Sequence, residues 1–321
     1  MIFVITVRGH GYTIQSLIDG AYGFPTPQLG HVSYEEILRA IQVPKATYIF
    51  ADLERLSAWE LQLAAHLYLV LNRHGLRCLN DPARAMARVE LLRCLHAAGI
   101  NPFQVWRADE RPRPTRFPVF IRHESDHDLP LTDLIADSAQ LDQMLADIRG
   151  RAIPLRGLIV LEHCPAPYGH GLWHKWGTFR VGDALSVDHI SVDDKWLVKY
   201  GDYEKLNDEA VRDEHDAVMS NRYSVDLARV FDLAQIEFGR ADHATVDGRT
   251  VVYEINTNPY IGRFVPDSIP MRLETQRRSR HRLAAALEAI DTKDAGVVQL
   301  HTTELLAQLR SLPSGLMTPR R

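Results

Sequence analysis

The segment Val251-Val252-Tyr253-Glu254-Ile255-Asn256-Thr257-Asn258-Pro259 organises the interpretation of the whole chain. Glu254 and Asn256 stand two positions apart at the end of an apolar run, so on a strand both side chains point to one face. The preceding turn, Val246-Asp247-Gly248-Arg249, favours a hairpin that brings Asp242 opposite the Glu254 region. Two carboxylates and an amide on one face are hard oxygen donors of the kind that Mg²⁺ prefers.

The same segment also has a plainer interpretation. Asn258 precedes Pro259, and an Asn-Pro pair favours a turn, so Glu254 and Asn256 could simply shape the chain before the proline. The hairpin alone supports the two interpretations about equally. Asp242, together with the order of the segments upstream, favours the metal site.

Composition and charge narrow the class of protein. The chain has 321 residues, of which 45% are hydrophobic and 24% charged, so two or three globular domains are expected. The net charge is −4, and basic residues are dispersed apart from Arg277–Arg282, which we interpret as a solvated helix face. This balance argues against a nucleic-acid partner. We expect a small-molecule or peptide substrate, no membrane association, and leave a homodimer open.

The N-terminal residues and the cysteines bear on the cellular compartment in which the protein is expected. The apolar run Met1–Val7 is followed at once by Arg8, so it is too short for a signal core and is interpreted as a first strand. Cys78, Cys94 and Cys164 are odd in number and lack metal-ligand spacing, which favours a reducing environment. A cytoplasmic protein is the expectation.

The first eighty residues alternate strands and helices. Apolar strands are predicted at 1–7, 48–51 and 75–79, and helices begin after Ser33 and Ser57, which are good N-cap residues. This alternation predicts a small parallel sheet covered by helices. Gly9 and Gly11 follow the first strand, but the third glycine of a dinucleotide-binding fingerprint is absent.

Five further segments lead in order to the hairpin. They are Leu79-Asn80-Asp81-Pro82, a helix carrying Arg88, Pro118-Val119-Phe120-Ile121-Arg122, Ile159-Val160-Leu161-Glu162-His163-Cys164 and Phe179-Arg180-Val181-Gly182-Asp183. In this order, and with Asp242 and the segment from Glu254 to Pro259, they resemble the ATP-grasp superfamily, which includes D-alanine–D-alanine ligases, glutathione synthetases and ribosomal-protein glutamate ligases. The resemblance covers residues 75 to 265.

The resemblance implies the fold class and its division. We expect an α/β and α+β protein in which a small N-terminal domain precedes two α+β subdomains that clasp ATP. The expected boundaries are 1–80 for the N-terminal domain, 81–155 for the linker helix and first subdomain, 156–290 for the second subdomain with the metal site, and 291–321 for a C-terminal helix and tail.

The resemblance also implies roles for individual residues, with ATP and Mg²⁺ as cofactors. Arg88 and Arg122 occupy the positions of cations that contact the nucleotide phosphates, and arginine keeps that charge while offering a bidentate fork. The remaining assignments are Glu162, His163 and Cys164 to the hinge that binds adenine, Lys175 and Asn258 to the nucleotide, Arg180 and Lys199 to catalysis, and Asp242, Glu254 and Asn256 to the metal.

Taken singly, several of these residues have ordinary explanations. Arg88 lies on a predicted helix, where arginine is a good helix former, and Arg122 could be a surface cation. Glu162 could be an acid at the end of a strand. Cys164 lacks a base or an oxyanion donor in the sequence pattern and is interpreted as a small buried residue rather than a nucleophile.

The loop 123–128 departs from the family pattern. It reads His123-Glu124-Ser125-Asp126-His127-Asp128 and contains no glycine, whereas relatives have a glycine-rich loop there. His and Asp residues close in sequence could form a second metal cluster, but a solvated polar loop is the favoured interpretation.

These implications give one expected function and two alternatives. The expected function is an ATP- and Mg²⁺-dependent carboxylate–amine ligase that activates a carboxylate as an acyl-phosphate for a nucleophile. An ATP-grasp kinase that stops after phosphorylation is the first alternative. A weakened nucleotide-binding or scaffold protein, suggested by the loop without glycine, is the second.

Overall fold

The computed structural model describes residues 1–126 and 128–300, together with Ala307. Its strands are β1 (Ile2–Thr6), β2 (Leu29–Ser33), β3 (Gln42–Pro44), β4 (Thr47–Phe50), β5 (Cys78–Leu79), β6 (Val105–Arg107), β7 (Val119–His123), β8 (Leu158–Glu162), β9 (Pro167–Gly169), β10 (Leu172–Val181), β11 (Ala184–Asp193), β12 (Phe238–Val246), β13 (Arg249–Asn256) and β14 (Val297–Gln299).

Helices of the described residues alternate with these strands. They are α1 (Gln15–Ile18), α2 (Tyr34–Arg39), α3 (Ala58–Arg73), α4 (Arg88–Ala97), α5 (Ser138–Gly150), α6 (Asp208–Ser220), α7 (Ser224–Ala234) and α8 (Pro270–Ile290). Among them, none is both long enough and apolar enough to cross a membrane.

The N-terminal residues form the predicted parallel sheet, with strand order β2-β1-β4-β5. Both expected N-caps are present: Ser33 forms a capping box with Glu36, and Ser57 forms one with Glu60. Each box satisfies donors at the helix start and fixes where the chain enters α2 and α3. The helices cover one face of the sheet in an apolar cluster that includes Ile5 and Leu67.

A three-stranded antiparallel sheet, in the order β6-β8-β7, follows. Its far face packs on α5 through Leu141 and Leu145. Helix α5 begins at Ser138 because the Asp137 side chain accepts a hydrogen bond from the Gln140 N–H at 2.9 Å and caps the helix there.

The largest sheet is antiparallel, in the order β11-β10-β12-β13, with β9 paired to β10. One face packs on α6 and α7 through buried side chains such as Trp176 and Phe231. Asn221 adopts a left-handed conformation (φ 54°) and separates α6 from α7. The other face of the sheet borders the cleft described below.

Helix α8 joins the two main sheets. Leu283 and Leu287 pack with Ile2 and Phe179 in one buried cluster. The basic run on this helix was predicted to be a solvated face, which is wrong for part of it: Arg280 donates to the carbonyls of Tyr22, Gly262 and Arg263 at 2.8, 3.1 and 2.8 Å. These donors tie the helix to the loop after the hairpin.

The fold class predicted from the sequence, α/β and α+β, is confirmed by this combination of a parallel sheet and two antiparallel sheets with helices packed against them. At the C-terminal end, residues 291–300 contain no helix. They contain β14, which pairs with β3. The rest of the predicted helix and tail, apart from Ala307, lies outside the described residues.

Candidate functional site

Strands β12 and β13 form the predicted hairpin. Asp242 pairs with Glu254, and Arg240 pairs with Asn256. Asp247 and Gly248 both have positive φ values, 49° and 74°, as a two-residue hairpin turn of the I′ kind requires. The prediction that Asp242 lies opposite the Glu254 region is therefore confirmed.

A bulge on β13 directs two consecutive side chains toward the cleft. His243 pairs with Val252, whereas Asp242 pairs with Glu254, so Tyr253 is an extra residue on β13. Such a bulge re-aims side chains that would otherwise alternate between faces. Tyr253 and Glu254 consequently line the same cavity.

Two adjoining cavities occupy the cleft, and they share Lys175, Lys199, Asp242 and Glu254. The smaller cavity, about 120 Å³, lies between the three-stranded sheet and the largest sheet and has mostly apolar walls. The larger cavity, about 1030 Å³, lies between the largest sheet, the N-terminal sheet and the loop after the hairpin, and its walls are strongly charged. The shared residues form the junction between them.

The junction combines a buried carboxylate, Asp242, and a half-buried one, Glu254, with cations. Lys175 Nζ donates to Asp242 Oδ2 at 2.8 Å, and Arg240 Nε lies 3.3 Å from Asp242 Oδ1. Burial alone would raise the pKa of Asp242, but Lys175 and Arg240 outweigh it and hold that pKa well below its usual range. Glu254 is paired with Arg88. Each of the two carboxylates therefore lies beside at least one cation.

The two predicted phosphate cations face the loop 123–128. Arg88 Nη1 donates to the carbonyls of Glu124 and Asp126 at 2.8 and 3.2 Å, and Arg122 Nη2 donates to the carbonyls of Asp126 and Asp128 at 3.1 and 3.4 Å. Arg122 Nε is buried without a hydrogen-bond partner among the described residues. Burial, and then the neighbouring Arg88, lower the pKa of Arg122.

One acid of this loop, Glu124, has a charged partner other than Arg88 and Arg122. Glu124 Oε1 lies 3.4 Å from Arg107 Nη2 on β6, and burial raises the pKa of Glu124. Within the described residues, no group of three or more His, Cys, Asp or Glu side chains is arranged to hold a metal ion. His127, which belonged to the possible second cluster, lies outside the described residues.

The predicted adenine hinge forms one wall of the smaller cavity. Glu162 lines it, but the carboxylate is used internally: its oxygens accept the N–H groups of Gln104 and Arg116 at 3.0 and 3.1 Å. His163 packs edge-on against Trp196, with ring centroids 5.0 Å apart. Its Nε2 is buried without a hydrogen-bond partner in the described part of the chain, and burial lowers the pKa of His163.

Cys164 follows in the same wall, where it is buried and a free thiol. Burial raises its pKa, which agrees with a small packed residue rather than a nucleophile. Its carbonyl accepts a hydrogen bond from the Tyr253 hydroxyl at 3.1 Å, so the hinge is joined to the bulged strand of the hairpin.

The structure does not bring Arg180 into the cleft. Arg180 lies an odd number of residues from Lys175 on β10, so it points to the opposite face, where it binds Asp232 at 2.6 Å and lies over the Phe231 ring. Our assignment of Arg180 to catalysis is therefore corrected. Lys199, the other predicted catalytic group, does line both cavities, and its carbonyl accepts from Lys175 Nζ at 3.2 Å.

Arg240 occupies the place in the cleft that the sequence interpretation gave to Arg180. It is paired with Asp242, and although burial lowers its pKa, Asp242 and Asp188 outweigh that effect and raise it. The signal was available, because Arg240 stands two residues before Asp242 and therefore shares its strand face. It was missed because the motif that carried the resemblance began at Asp242.

The two asparagines after Glu254 have different surroundings. Asn256 lines the larger cavity, and its Oδ1 accepts the Asn258 N–H at 2.8 Å. Asn258 is buried; it accepts from Thr13 at 2.6 Å and donates to Asp52 at 3.1 Å. Asn258 thus links the hairpin to the N-terminal residues, and it also lines the larger cavity.

The chain is similar to several solved structures, although its sequence matches no family model. No protein-family model and no curated protein matches the sequence. A D-alanine–D-alanine ligase from Bacillus anthracis is similar in structure, with 12% identity, a TM-score of 0.49, and coverage of 90% of this chain and 97% of that one.

Two further solved structures are similar to a comparable extent. A RimK-domain ATP-grasp protein from Sphaerobacter thermophilus has 15% identity and a TM-score of 0.44 over 90% of this chain and 99% of that one. An L-amino acid ligase from Bacillus licheniformis has 9% identity and a TM-score of 0.43 over 80% of this chain and 66% of that one.

Proposed function

We propose that this protein is an ATP- and Mg²⁺-dependent ligase that activates a carboxylate as an acyl-phosphate and transfers the acyl group to an amine. The observation that carries this proposal is the junction of the two cavities. There, Asp242 and Glu254 face each other on paired strands beside Lys175 and Arg240, with an apolar cavity on one side and a larger charged cavity on the other.

The smaller cavity suits the base of a nucleotide. Phe120, Leu161 and Trp196 give it apolar walls, and the exposed edge of a purine can be matched by the backbone of the hinge and by His163 Nε2. Arg88 and Arg122 lie at its charged end and would receive the phosphates, for which a guanidinium fork is well shaped.

The junction also fits Mg²⁺ in its donor chemistry. Asp242, Glu254 and Asn256 provide two carboxylates and an amide on one strand face, and Mg²⁺ in nucleotide sites takes one or two carboxylates and completes its shell with phosphate oxygens and water. These three residues would hold the ion. When bound, it would neutralise charge on the β- and γ-phosphates of ATP.

The reaction then needs groups that stabilise charge rather than form bonds with the protein. A substrate carboxylate in the larger cavity would attack the γ-phosphorus, and ADP would leave. Lys175 and Arg240 lie where negative charge develops on the transferred phosphoryl group. The amine would next attack the acyl carbon, forming the C–N bond as phosphate departs. Water must be excluded in between, since it would hydrolyse the acyl-phosphate.

The test is carboxylate-dependent turnover. Purified protein is incubated with ATP, MgCl₂ and, one at a time, the twenty L-amino acids, D-alanine and dipeptides, with hydroxylamine as the trapping nucleophile. We expect ADP release that requires the carboxylate, and a matching yield of hydroxamate. ADP release without hydroxamate in any of these mixtures would instead indicate a kinase or an ATPase.

One observation favours a second candidate function, a nucleotide-binding protein with little or no turnover. The guanidinium donors of Arg88 and Arg122 already contact carbonyls of the loop 123–128, so phosphates must displace the loop to reach them. Calorimetric titration separates the candidates. Tight binding of ATP, without ADP formation over the whole carboxylate panel, would favour the binding protein.

A further inference from the structure

The larger cavity contains a histidine–aspartate pair that the steps above leave without a role. His189 Nδ1 lies 2.7 Å from Asp188 Oδ2, and both residues line the cavity. They are consecutive on β11. On a regular strand, consecutive side chains point to opposite faces, so their common orientation needs a cause.

That cause is a bulge opposite β10. Gly177 pairs with His189 and Thr178 pairs with Val187, which leaves Asp188 as the extra residue on β11. A bulge of this kind changes the direction of one side chain without ending the strand pairing. Here it turns the Asp188 carboxylate toward the same cavity as the His189 ring.

The pair belongs to the same wall as the junction. His189, Gly177, Asp242 and Glu254 are directly paired neighbours across four adjacent strands. Gly177 has no side chain, and a Cβ there would lie 3.2 Å from Arg240 Cδ and 3.7 Å from His189 Cε1. Because Gly177 has no side chain, the side chains of Arg240 and His189 occupy the space above it from either side.

Asp188 is held as an ionised acceptor. Its second oxygen, Oδ1, accepts from the Ser279 hydroxyl of α8 at 3.0 Å. Burial raises the pKa of Asp188, but His189, Arg240 and the Ser279 hydrogen bond outweigh it and lower the pKa to about 2. A carboxylate fixed in this way keeps the proton of the imidazole on Nδ1 and leaves the lone pair of Nε2 for another partner.

Several charged groups surround the imidazole besides Asp188. Asp242 and Arg240 face it from β12, and Glu214 faces it from α6. Burial raises the pKa of Glu214, while Arg272 and His189 act in the opposite direction. Three acids, Asp188, Asp242 and Glu214, thus surround the imidazole together with the guanidinium of Arg240.

We propose that His189, oriented by Asp188, accepts the proton released by the amine acceptor. The inference rests on the proposed ligase function. At neutral pH the amino-acid acceptor enters as an ammonium group, and it first gives one proton to His189 Nε2, which passes that proton to solvent. The free amine nitrogen then attacks the acyl carbon: the C–N bond forms, the C–O bond to phosphate breaks, and the second proton lost from the nitrogen leaves with the phosphate. Asp188 acts as a positioning residue because it orients the imidazole.

Comparing two kinds of nucleophile distinguishes proton acceptance by His189 from a more general contribution of His189 to the site. Amino acids carry a protonated amine at neutral pH and need a proton acceptor, whereas hydroxylamine is largely unprotonated there. The experiment uses ATP, MgCl₂ and whichever carboxylate of the panel gives the most hydroxamate. It compares hydroxylamine with the twenty L-amino acids and D-alanine as acceptors.

In His189→Gln we expect amide formation with amino acids to fall by about 100-fold, the usual scale of general base catalysis, with a much smaller change in hydroxamate formation. Asp188→Asn should show the same bias, with at least a tenfold loss in amide formation. His170→Gln, at an exposed turn outside both cavities, is the matched control and should retain both rates.

An independent readout needs no substrate. Nitrogen-15 spectra of labelled protein should show the proton of His189 on Nδ1 in the wild type and a changed tautomer balance in Asp188→Asn. Equal losses with both nucleophiles, or no loss with amino acids, would overturn the role of His189. If the wild-type protein gave no hydroxamate at all, the proposed function would fail, and this inference would fail with it.

Discussion

The two faces of the largest sheet contain similar residues with different surroundings. The face toward the cleft has Arg240 and His189, each beside a carboxylate and lining the larger cavity. The face toward α6 and α7 has Arg180 and His243, one paired with Asp232 at the edge and the other fully buried. Residue type alone therefore does not identify the functional arginine or histidine; the strand face does.

The largest expected effect tests the cleft face through its central carboxylate. Glu254→Gln keeps the shape of the side chain but removes the charge that pairs with Arg88 and that would hold Mg²⁺. We expect ADP formation to fall by more than about 100-fold, the scale seen when one charge-stabilising group is lost. Wild-type turnover in a variant with an unchanged melting temperature would refute the metal assignment.

The second effect compares the two arginines directly. Arg240→Lys keeps the charge but loses the guanidinium fork beside Asp242, and we expect kcat to fall by about 10- to 100-fold. Arg180→Lys is the matched control on the other face and should change kcat by less than about twofold. If Arg180→Lys lost more activity than Arg240→Lys, the assignment of the active site to the face that carries Arg240 would be wrong.

The third effect concerns the buried histidine of the packed face. Burial lowers the pKa of His243 to about 3, below its ordinary value of 6.5, so the unfolded chain binds a proton that the folded protein does not. The free energy of unfolding should therefore decrease as pH falls from about 6.5 toward 3, by up to about 1.4 kcal/mol per pH unit for this proton.

Urea unfolding at several pH values measures this dependence. His243→Phe removes the titrating group, so its slope against pH should be smaller than that of the wild type, whereas His170→Gln should leave the slope unchanged. An unaltered slope in His243→Phe would show that the acid sensitivity comes from other buried histidines, such as His174, whose pKa is also lowered by burial.

The smallest effect probes the hydrogen bond made by one ring nitrogen of His243, Nε2. Thr178 Oγ1 lies 2.9 Å from His243 Nε2, and both side chains are buried. Thr178→Val should lower the free energy of unfolding by about 1–3 kcal/mol, because it leaves a buried nitrogen without its partner. Ligase turnover should not change, since Thr178 lies on the packed face; a selective loss of kcat would contradict the separation of the two faces.

The sequence predicted those parts of the site that depend on local periodicity. The hairpin followed from the turn at Asp247-Gly248, and the common face of Glu254 and Asn256 followed from their spacing, whereas the pairing of Asp242 with Glu254 itself also depends on the bulge at Tyr253. The capping boxes at Ser33 and Ser57 were also readable, because a cap acts on residues within one helical turn.

Other parts depend on contacts between distant segments and could not be predicted. Asn258 gave no sign that its partners would be Thr13 and Asp52, more than two hundred positions away. The bulge at Asp188 depends on how β11 registers against β10, and only the paired strands reveal that one residue is extra. Arg180 was misassigned because a motif match supplied its role without testing its strand face.

The contacts at the end of the hairpin also affect how the molecule should open. Asn258 bonds to Asp52 and Thr13, and the Thr257 hydroxyl lies 2.8 Å from Glu54, so the hairpin is fastened to the N-terminal sheet by buried polar contacts. Opening that sheet would leave these polar groups without their hydrogen-bond partners. Hydrogen exchange of the amides in β4 and in β13 should therefore report one shared opening event, rather than a weaker N-terminal unit that unfolds independently.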